Sequence, residues 1–222
     1  MEFVQVLKEK YGENTPILID EIKAVCGNYS RPRISQFIDE AIRKRELIRY
    51  SPGVYYLPTM LRYGLSMIGP RDVIEKKYIT NGAEIYGYYS GFTLLNAAGL
   101  TTQVPNTLEI VSNNVNSRLS RVLVDYQKVI VRRARAKITS ENYQILRFLE
   151  LVNNLESKEL KQKEFLRYVR KINLKRGDIQ QYIEYYPKSV GMKLIESEVI
   201  YEFARSHSAL RTDALSGFRA KP

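Results

Sequence analysis

From Ile34 to Ile42, apolar side chains recur at i, i+3, i+4, i+7 and i+8, as Ile34, Phe37, Ile38, Ala41 and Ile42. That spacing closes on one face of a 3.6-residue helix and turns Arg33, Gln36, Asp39, Glu40 and Arg43 outward. A short amphipathic helix is marginal in water, so neighbouring segments must cover its apolar stripe. Two candidates precede it. Phe3, Val4, Leu7 and Tyr11 form a helical face that stops at Gly12, which suits a left-handed C-terminal cap. Thr15-Pro16 offers a capping hydroxyl and then a residue tolerated in a first turn, and Leu18, Ile22 and Val25 carry a second stripe to Gly27.

The third helix is followed by two β-prone runs, Leu47-Ile48-Arg49-Tyr50 and Val54-Tyr55-Tyr56-Leu57. Between them lies Ser51-Pro52-Gly53, where Pro presets one turn dihedral and Gly permits the next positive φ. Residues 1–60 therefore predict three helices and a hairpin. This order is that of a winged helix-turn-helix, which presents a helix to the major groove.

Beyond residue 60 the pattern changes. A short helix is expected over Phe92–Ala98, ended by Gly99, with β-branched strand runs over Thr107–Val111 and Val122–Val131. From Ser140 the helical period returns in three stripes: Ile145, Leu149 and Val152; Phe165, Leu166, Val169 and Ile172; and Ile179, Tyr182, Ile183 and Tyr186. A fourth helix is expected over Met192–Phe203 and a mobile tail over Ser206–Pro222. The expectation is an α+β protein with a winged helix at 1–60, a mixed α/β segment at 61–140, a helical part at 141–205 and a tail at 206–222.

Composition narrows the chemistry. The 222 residues include a single Cys, Cys26, and a single His, His207, too few for a protein-built zinc site. One Cys also forbids an intrachain disulfide, and the amphipathic start MEFVQVLKEKYG does not read as a secretory leader, so a reducing cytoplasm is expected. The longest stretch without a charged side chain, Ile85–Leu108, carries Asn, Gln, Thr, Ser, Gly and Pro residues that are costly in lipid, so no membrane span is expected. The net charge of +11 favours polyanionic partners.

On the outward face of the third helix, Arg33, Gln36 and Arg43, with Ser30 and Arg31 at its start, are residue types suited to bases and phosphates. Asp39 and Glu40 lie on the same face and leave open the reading of an ordinary solvated surface. Across Asn28–Tyr50, Arg31, Arg33, Arg43, Lys44, Arg45 and Arg49 outnumber Asp39, Glu40 and Glu46. A second basic run, Lys128–Lys137, would line Arg133, Arg135 and Lys137 along one face of a strand, either an anion or RNA surface or an edge guarded by charge. Seventeen Tyr against seven Phe and no Trp fit interfaces and core edges alike.

Enzyme signatures are sparse. No GxxxxGK[ST], no GxGxxG and no HExxH motif occurs. The E-x-K spacings Glu75-Lys-Lys77 and Glu159-Leu-Lys161 fall in helical contexts. The expectation is a binding protein with no cofactor and no metal, and two alternatives stay open: a nuclease with a winged-helix targeting domain, and a ligand-responsive regulator with a pocket in the Tyr-rich middle.

The stretch Ser30–Pro58, SRPRISQFIDEAIRKRELIRYSPGVYYLP, resembles the winged-helix domain of AbiEi-like antitoxins, whose wing usually ends in G-V-Y-x-x-P, here Gly53–Pro58. Asn96–Pro105, NAAGLTTQVP, is similar to the N-x-x-G-L-[ST]-T-Q-V-P segment of the same family. The two patterns come in the family's order over residues 14–140. The resemblance implies a cytoplasmic type IV antitoxin that represses its own operon at inverted repeats of double-stranded DNA and counteracts a nucleotidyltransferase-type toxin without requiring a stable complex. It makes Ser30, Arg31, Arg33, Gln36 and Arg43 the helix contacts and Arg49 and Tyr50 the wing contacts. The family commonly places a glycine after the recognition helix. This chain has Arg45-Glu46 there, which predicts a longer third helix.

Overall fold

Ile17 and Leu18 do not begin the second helix; they form a strand. In the computed structural model, which describes residues 3–172, 174, 176–197 and 199, α1 (Phe3–Tyr11) is followed by β1 (Ile17–Leu18), α2 (Ile19–Val25), α3 (Arg31–Arg43), β2 (Ile48–Ser51) and β3 (Val54–Tyr56). The strands lie in the order β1-β3-β2, both pairs antiparallel, with Ile17 opposite Tyr55 and Leu18 opposite Val54. Fully buried Ile17 is β-branched and fits a pleated surface, which overrides the start signal at Thr15-Pro16. Helix α2 starts two residues later, where the Leu18 N–H donates to the Glu21 carboxylate at 2.9 Å.

The stripe of α3 packs as its spacing requires. Ile34, Ile38 and Ala41 are buried in one cluster with Leu7, Ile17, Ile22, Leu47, Tyr55 and Leu57, and Ile42 packs at its rim; Phe37, expected on the same face, is half-buried and stacks on Phe3 instead. Fully burying one such aliphatic side chain contributes about 1.5–3 kcal/mol, so this face fixes the helix. Helix α3 is not lengthened by Arg45-Glu46. It ends at Arg43, and Arg45 adopts φ +60, the left-handed conformation a glycine would supply. The Arg45 N–H donates to the Ile42 carbonyl and the Glu46 N–H to the Ala41 carbonyl, each at 3.0 Å. That pair of bonds is a Schellman termination, and it places Leu47 in the core.

Pro52 and Gly53 make the turn between β2 and β3, with Gly53 at φ +79. This is the positive φ of a type II turn after proline. Next come a small hairpin, β4 (Met60–Leu61) with β5 (Gly64–Leu65), and α4 (Pro70–Tyr78). Asn14 holds this region: its side-chain amide donates to Thr59 Oγ1 at 3.1 Å and its carbonyl oxygen accepts from Ser66 Oγ. Buried Lys76 pairs with Glu21 at 2.7 Å.

These ties carry the first compact unit to Lys76, and the second begins at Lys77. The sequence draws boundaries at 60 and 140; the contacts draw one, because the hairpin and α4 are stitched to the first sheet and helices. In the second unit, β6 (Gly87–Tyr89), α5 (Gly91–Ala97), β7 (Thr107–Ser112), β8 (Leu119–Val124) and β9 (Gln127–Arg133) precede α6 (Tyr143–Asn154), α7 (Ser157–Leu160), α8 (Lys163–Lys171), α9 (Arg176–Tyr182), a 3-10 turn at Ile183–Tyr185 and α10 (Lys188–Glu196). The sheet order is β6-β7-β9-β8; β7 and β9 are parallel and the other pairs antiparallel. The run Val122–Val131 is thus two strands, broken where Asp125 turns at φ +50.

Gly87 is required by close approach: a Cβ there would lie 1.9 Å from the Tyr78 carbonyl oxygen. Helix α6 is central, burying Ile145, Leu146, Phe148, Leu149, Glu150, Leu151 and Val152. It shares one core with Tyr88, Leu94 and Val111 of the sheet side and with Phe165, Val169, Ile179 and Val190 of the later helices. The helical stripes are therefore part of the same unit as the sheet. The last expected helix begins earlier, at Lys188; its end, His207 and the tail lie outside the described residues. The protein is mixed α+β, and among the described residues no helix is long and apolar enough to cross a membrane.

Candidate nucleic-acid interface

Ser30 caps α3 in an extended conformation, φ −66 and ψ 152, and Pro32 occupies the first turn. Ser30, Arg31, Arg33, Gln36 and Arg43 are all exposed, as are Asp39, Glu40, Lys44 and Arg45. With Ile34, Ile38 and Ala41 locked below, residues spaced along the opposite face keep a fixed orientation. Arg33 is the best positioned. Its guanidinium lies 4.5 Å from the Phe37 ring centroid and its Nη1 donates to Gln36 Oε1 at 3.0 Å. Phe37 is itself held between Phe3, stacked at 5.6 Å, and Tyr29, edge-on at 5.1 Å. The aromatic group restrains Arg33 before any ligand arrives, which lowers the ordering cost of binding.

The carboxylates on this face carry less opposition than their number implies. Glu40 pairs with Lys44 at 3.0 Å, one turn away. The hydrogen bond and charge of Lys44, assisted by Arg43 and Arg33, hold the Glu40 carboxyl below its ordinary range. Its negative charge is thereby matched by a neighbouring cation rather than turned unopposed toward a phosphate.

In the hairpin, Arg49 is exposed opposite Tyr55. Tyr50 is the extra residue of a bulge between Arg49 and Ser51 and is half-buried. Bulges re-aim side chains at strand edges. The two residues are therefore adjacent but unequal: Arg49 offers an exposed cation, Tyr50 only part of its ring.

The basic ridge of the second unit is built differently from the expectation. Arg133, Arg135 and Lys137 are exposed at alternate residues, but β9 ends at Arg133. Asn113 draws the chain off the sheet, donating to the Ile138 carbonyl at 2.8 Å and accepting its N–H at 3.0 Å. Arg135 stacks over the Tyr186 ring at 5.3 Å. Arg132, on the other face of the strand, is paired with Glu109 at 2.5 Å. The Thr101–Pro105 segment has a structural account: Asn96 Nδ2 donates to the carbonyls of Thr101 and Gln103.

Sequence reasoning passed over a second set of groups, on α6 and α8. Tyr143, Gln144 and Arg147 face Tyr168, Lys171 and Ile172 across a cleft of about 380 Å³. The available signal was the i, i+4 spacing of Tyr143 and Arg147, masked by the apolar stripe of α6. Nearby, buried Glu150 accepts from Ser90 Oγ at 3.0 Å, and the Tyr186 hydroxyl donates to the Leu146 carbonyl at 2.9 Å. Burial pushes the Tyr88 and Tyr186 phenols well above their ordinary range. Cys26 is buried, which raises its thiol. Among the described residues no group of three or more His, Cys, Asp and Glu is placed to hold a metal ion.

No protein-family model matches this chain, and no curated protein matches it.

Proposed function

We propose that the first unit is a winged helix-turn-helix that presents α3 to the major groove of double-stranded DNA, and that the protein is a sequence-specific transcriptional repressor. The observation that carries this reading is the outer face of α3. Arg31, Arg33, Gln36 and Arg43 stand exposed on a helix whose inner face is locked in a core, and Arg33 is already held by Phe37. The order α1-β1-α2-α3-β2-β3 with β3 central supports it, since it places a hairpin directly after the presented helix. Arg33 and Gln36 would exchange their mutual hydrogen bond for base edges, while Ser30, Arg31 and Arg43 take phosphates and Arg49 and Tyr50 make wing contacts.

The resemblance of Ser30–Pro58 and Asn96–Pro105 to AbiEi-like antitoxins extends the proposal. On that reading the protein acts in the cytoplasm, autoregulates an operon at inverted repeats and counteracts a nucleotidyltransferase-type toxin. Arg133, Arg135 and Lys137 are then the candidate RNA or anion surface of the antitoxin activity. Reversing these three charges should abolish rescue of toxin-expressing cells while the fold is kept, and intact rescue would remove them from the mechanism.

The DNA reading is tested by fluorescence anisotropy with the DNA upstream of the gene and a scrambled duplex, both across a salt series. The expected result is a large preference for the upstream DNA that persists as salt rises, with an affinity slope set by the number of phosphates neutralised. Equal, steeply salt-sensitive binding to both duplexes would reduce the surface to a non-specific basic patch.

A further inference from the structure

Two hollows of the second unit share a wall. One is the cleft between α6 and α8, lined by Tyr143, Gln144, Arg147, Tyr168, Lys171 and Ile172. The other, of about 240 Å³, is walled chiefly by Ile85, Tyr88, Tyr89 and Leu94, and again by Tyr143 and Arg147. The first is rimmed by two cations, two phenols and an amide, the second mostly by apolar and aromatic surface. Among the described residues no carboxylate lines either one.

Arg147 stands at the junction in an incomplete state. Its guanidinium lines the cleft together with the Tyr168 phenol, and its Nε is buried with no hydrogen-bond partner among the described residues. Leaving a buried donor unsatisfied is costly, more so in a charged group, so Arg147 is held there by its surroundings rather than by a full set of hydrogen bonds. An anion in the cleft would meet the outer guanidinium nitrogens of Arg147, with Lys171 as a second cation and Gln144 as a further polar contact. The apolar hollow beyond Tyr143 asks for the opposite chemistry, a flat ring with little charge. Aromatic side chains stack on such rings irrespective of sequence.

We propose that the two hollows form one bipartite site for a nucleoside monophosphate, with the base against Tyr88, Tyr143 and Leu94 and the phosphate between Arg147 and Lys171. Their combined size is in the range of small-ligand sites. The site is separate from α3, so it stands or falls independently of the DNA reading.

Isothermal titration of the full chain with AMP, GMP, CMP and UMP, with adenosine and inorganic phosphate as partial ligands, tests this. At least one nucleotide should bind at submillimolar concentration, and adenosine and phosphate at least about tenfold more weakly, since each carries only half of the contacts. Lys171→Ala and Arg147→Lys should each weaken nucleotide binding by about tenfold through loss of charge-assisted or bidentate bonds. Arg33→Ala should leave it unchanged, separating this site from the DNA face. Lys171 is exposed, so its variant should fold normally. No heat with any nucleotide at millimolar concentration would overturn the proposal. So would phosphate or adenosine binding as tightly as the nucleotide, nucleotide binding indifferent to both substitutions, or binding of oligonucleotides alone.

Discussion

Helices α3 and α6 are almost equal in length and opposite in their surroundings. Thirteen-residue α3 buries only Ile34, Ile38 and Ala41, whereas twelve-residue α6 buries seven side chains, one of them Glu150. A helix buried nearly all round is a structural axis; one buried along a single stripe has a face left to present. The first unit therefore carries its candidate chemistry on an outward surface, and the second carries it in hollows beside its axis.

The sharpest way to break this contrast is truncation. Phe148→Ala, at the centre of α6, should cost about 3–5 kcal/mol, because Phe148 is fully buried and stacked near Phe165 at 6.3 Å. Arg33→Ala and Gln36→Ala should shift stability by no more than about 0.5 kcal/mol. Urea denaturation measures both, and a comparable loss from the α3 variants would mean that its outer face is structural.

How far the sequence revealed this contrast depends on the kind of signal. The α3 stripe was legible because a half-buried helix writes its period into the sequence. The strand at Ile17–Leu18 was not, since two residues make no period and their partner, β3, lies more than thirty residues ahead. The termination at Arg45 was hidden because the sequence lacks the glycine that marks such a turn; the structure reaches the same conformation with a strained arginine. In the second unit, Tyr143, Arg147, Tyr168 and Lys171 come together only when α6 and α8 pack, so no local pattern announces them. The single compact unit after Lys77 was likewise obscured, because its core joins strands and helices that look like separate segments in the sequence.

A second test sharpens the comparison on the DNA side. Gln36→Ala should cost about 1–3 kcal/mol of affinity for the preferred duplex and relax its sequence preference, whereas Arg49→Ala should weaken all duplexes alike and flatten the salt dependence. Competition anisotropy distinguishes the two patterns.

A third concerns alkaline pH. Tyr88 and Tyr186 remain protonated in the fold beyond the pH near 10 at which they ionise when unfolded, because burial opposes their charge. The unfolded state thus binds fewer protons than the native state above pH 10. The stability from these two groups is whole below that pH and is lost as pH rises, at up to about 1.4 kcal/mol per pH unit for each phenol. Chemical denaturation between pH 9 and 11 should show the decline, and Tyr88→Phe should shallow it; an unchanged slope would show that the phenol is not protected as described.

The smallest effect is expected at the end of α3. Arg45→Gly relieves the left-handed backbone at φ +60, and after the entropy cost of glycine it should stabilise the protein by up to about 1 kcal/mol. A loss of stability would mean that the Arg45 side chain contributes more than its backbone costs.

The central claim is that the outer face of α3 reads sequence while its inner face only holds the helix. It is tested most directly by the double variant Arg33→Ala/Gln36→Ala, with its stability checked, titrated against the upstream and scrambled duplexes side by side with the unaltered protein. The account predicts a normally folded protein that still binds both duplexes in a salt-dependent way but no longer distinguishes them. A double variant that keeps the full preference for the upstream duplex would contradict it.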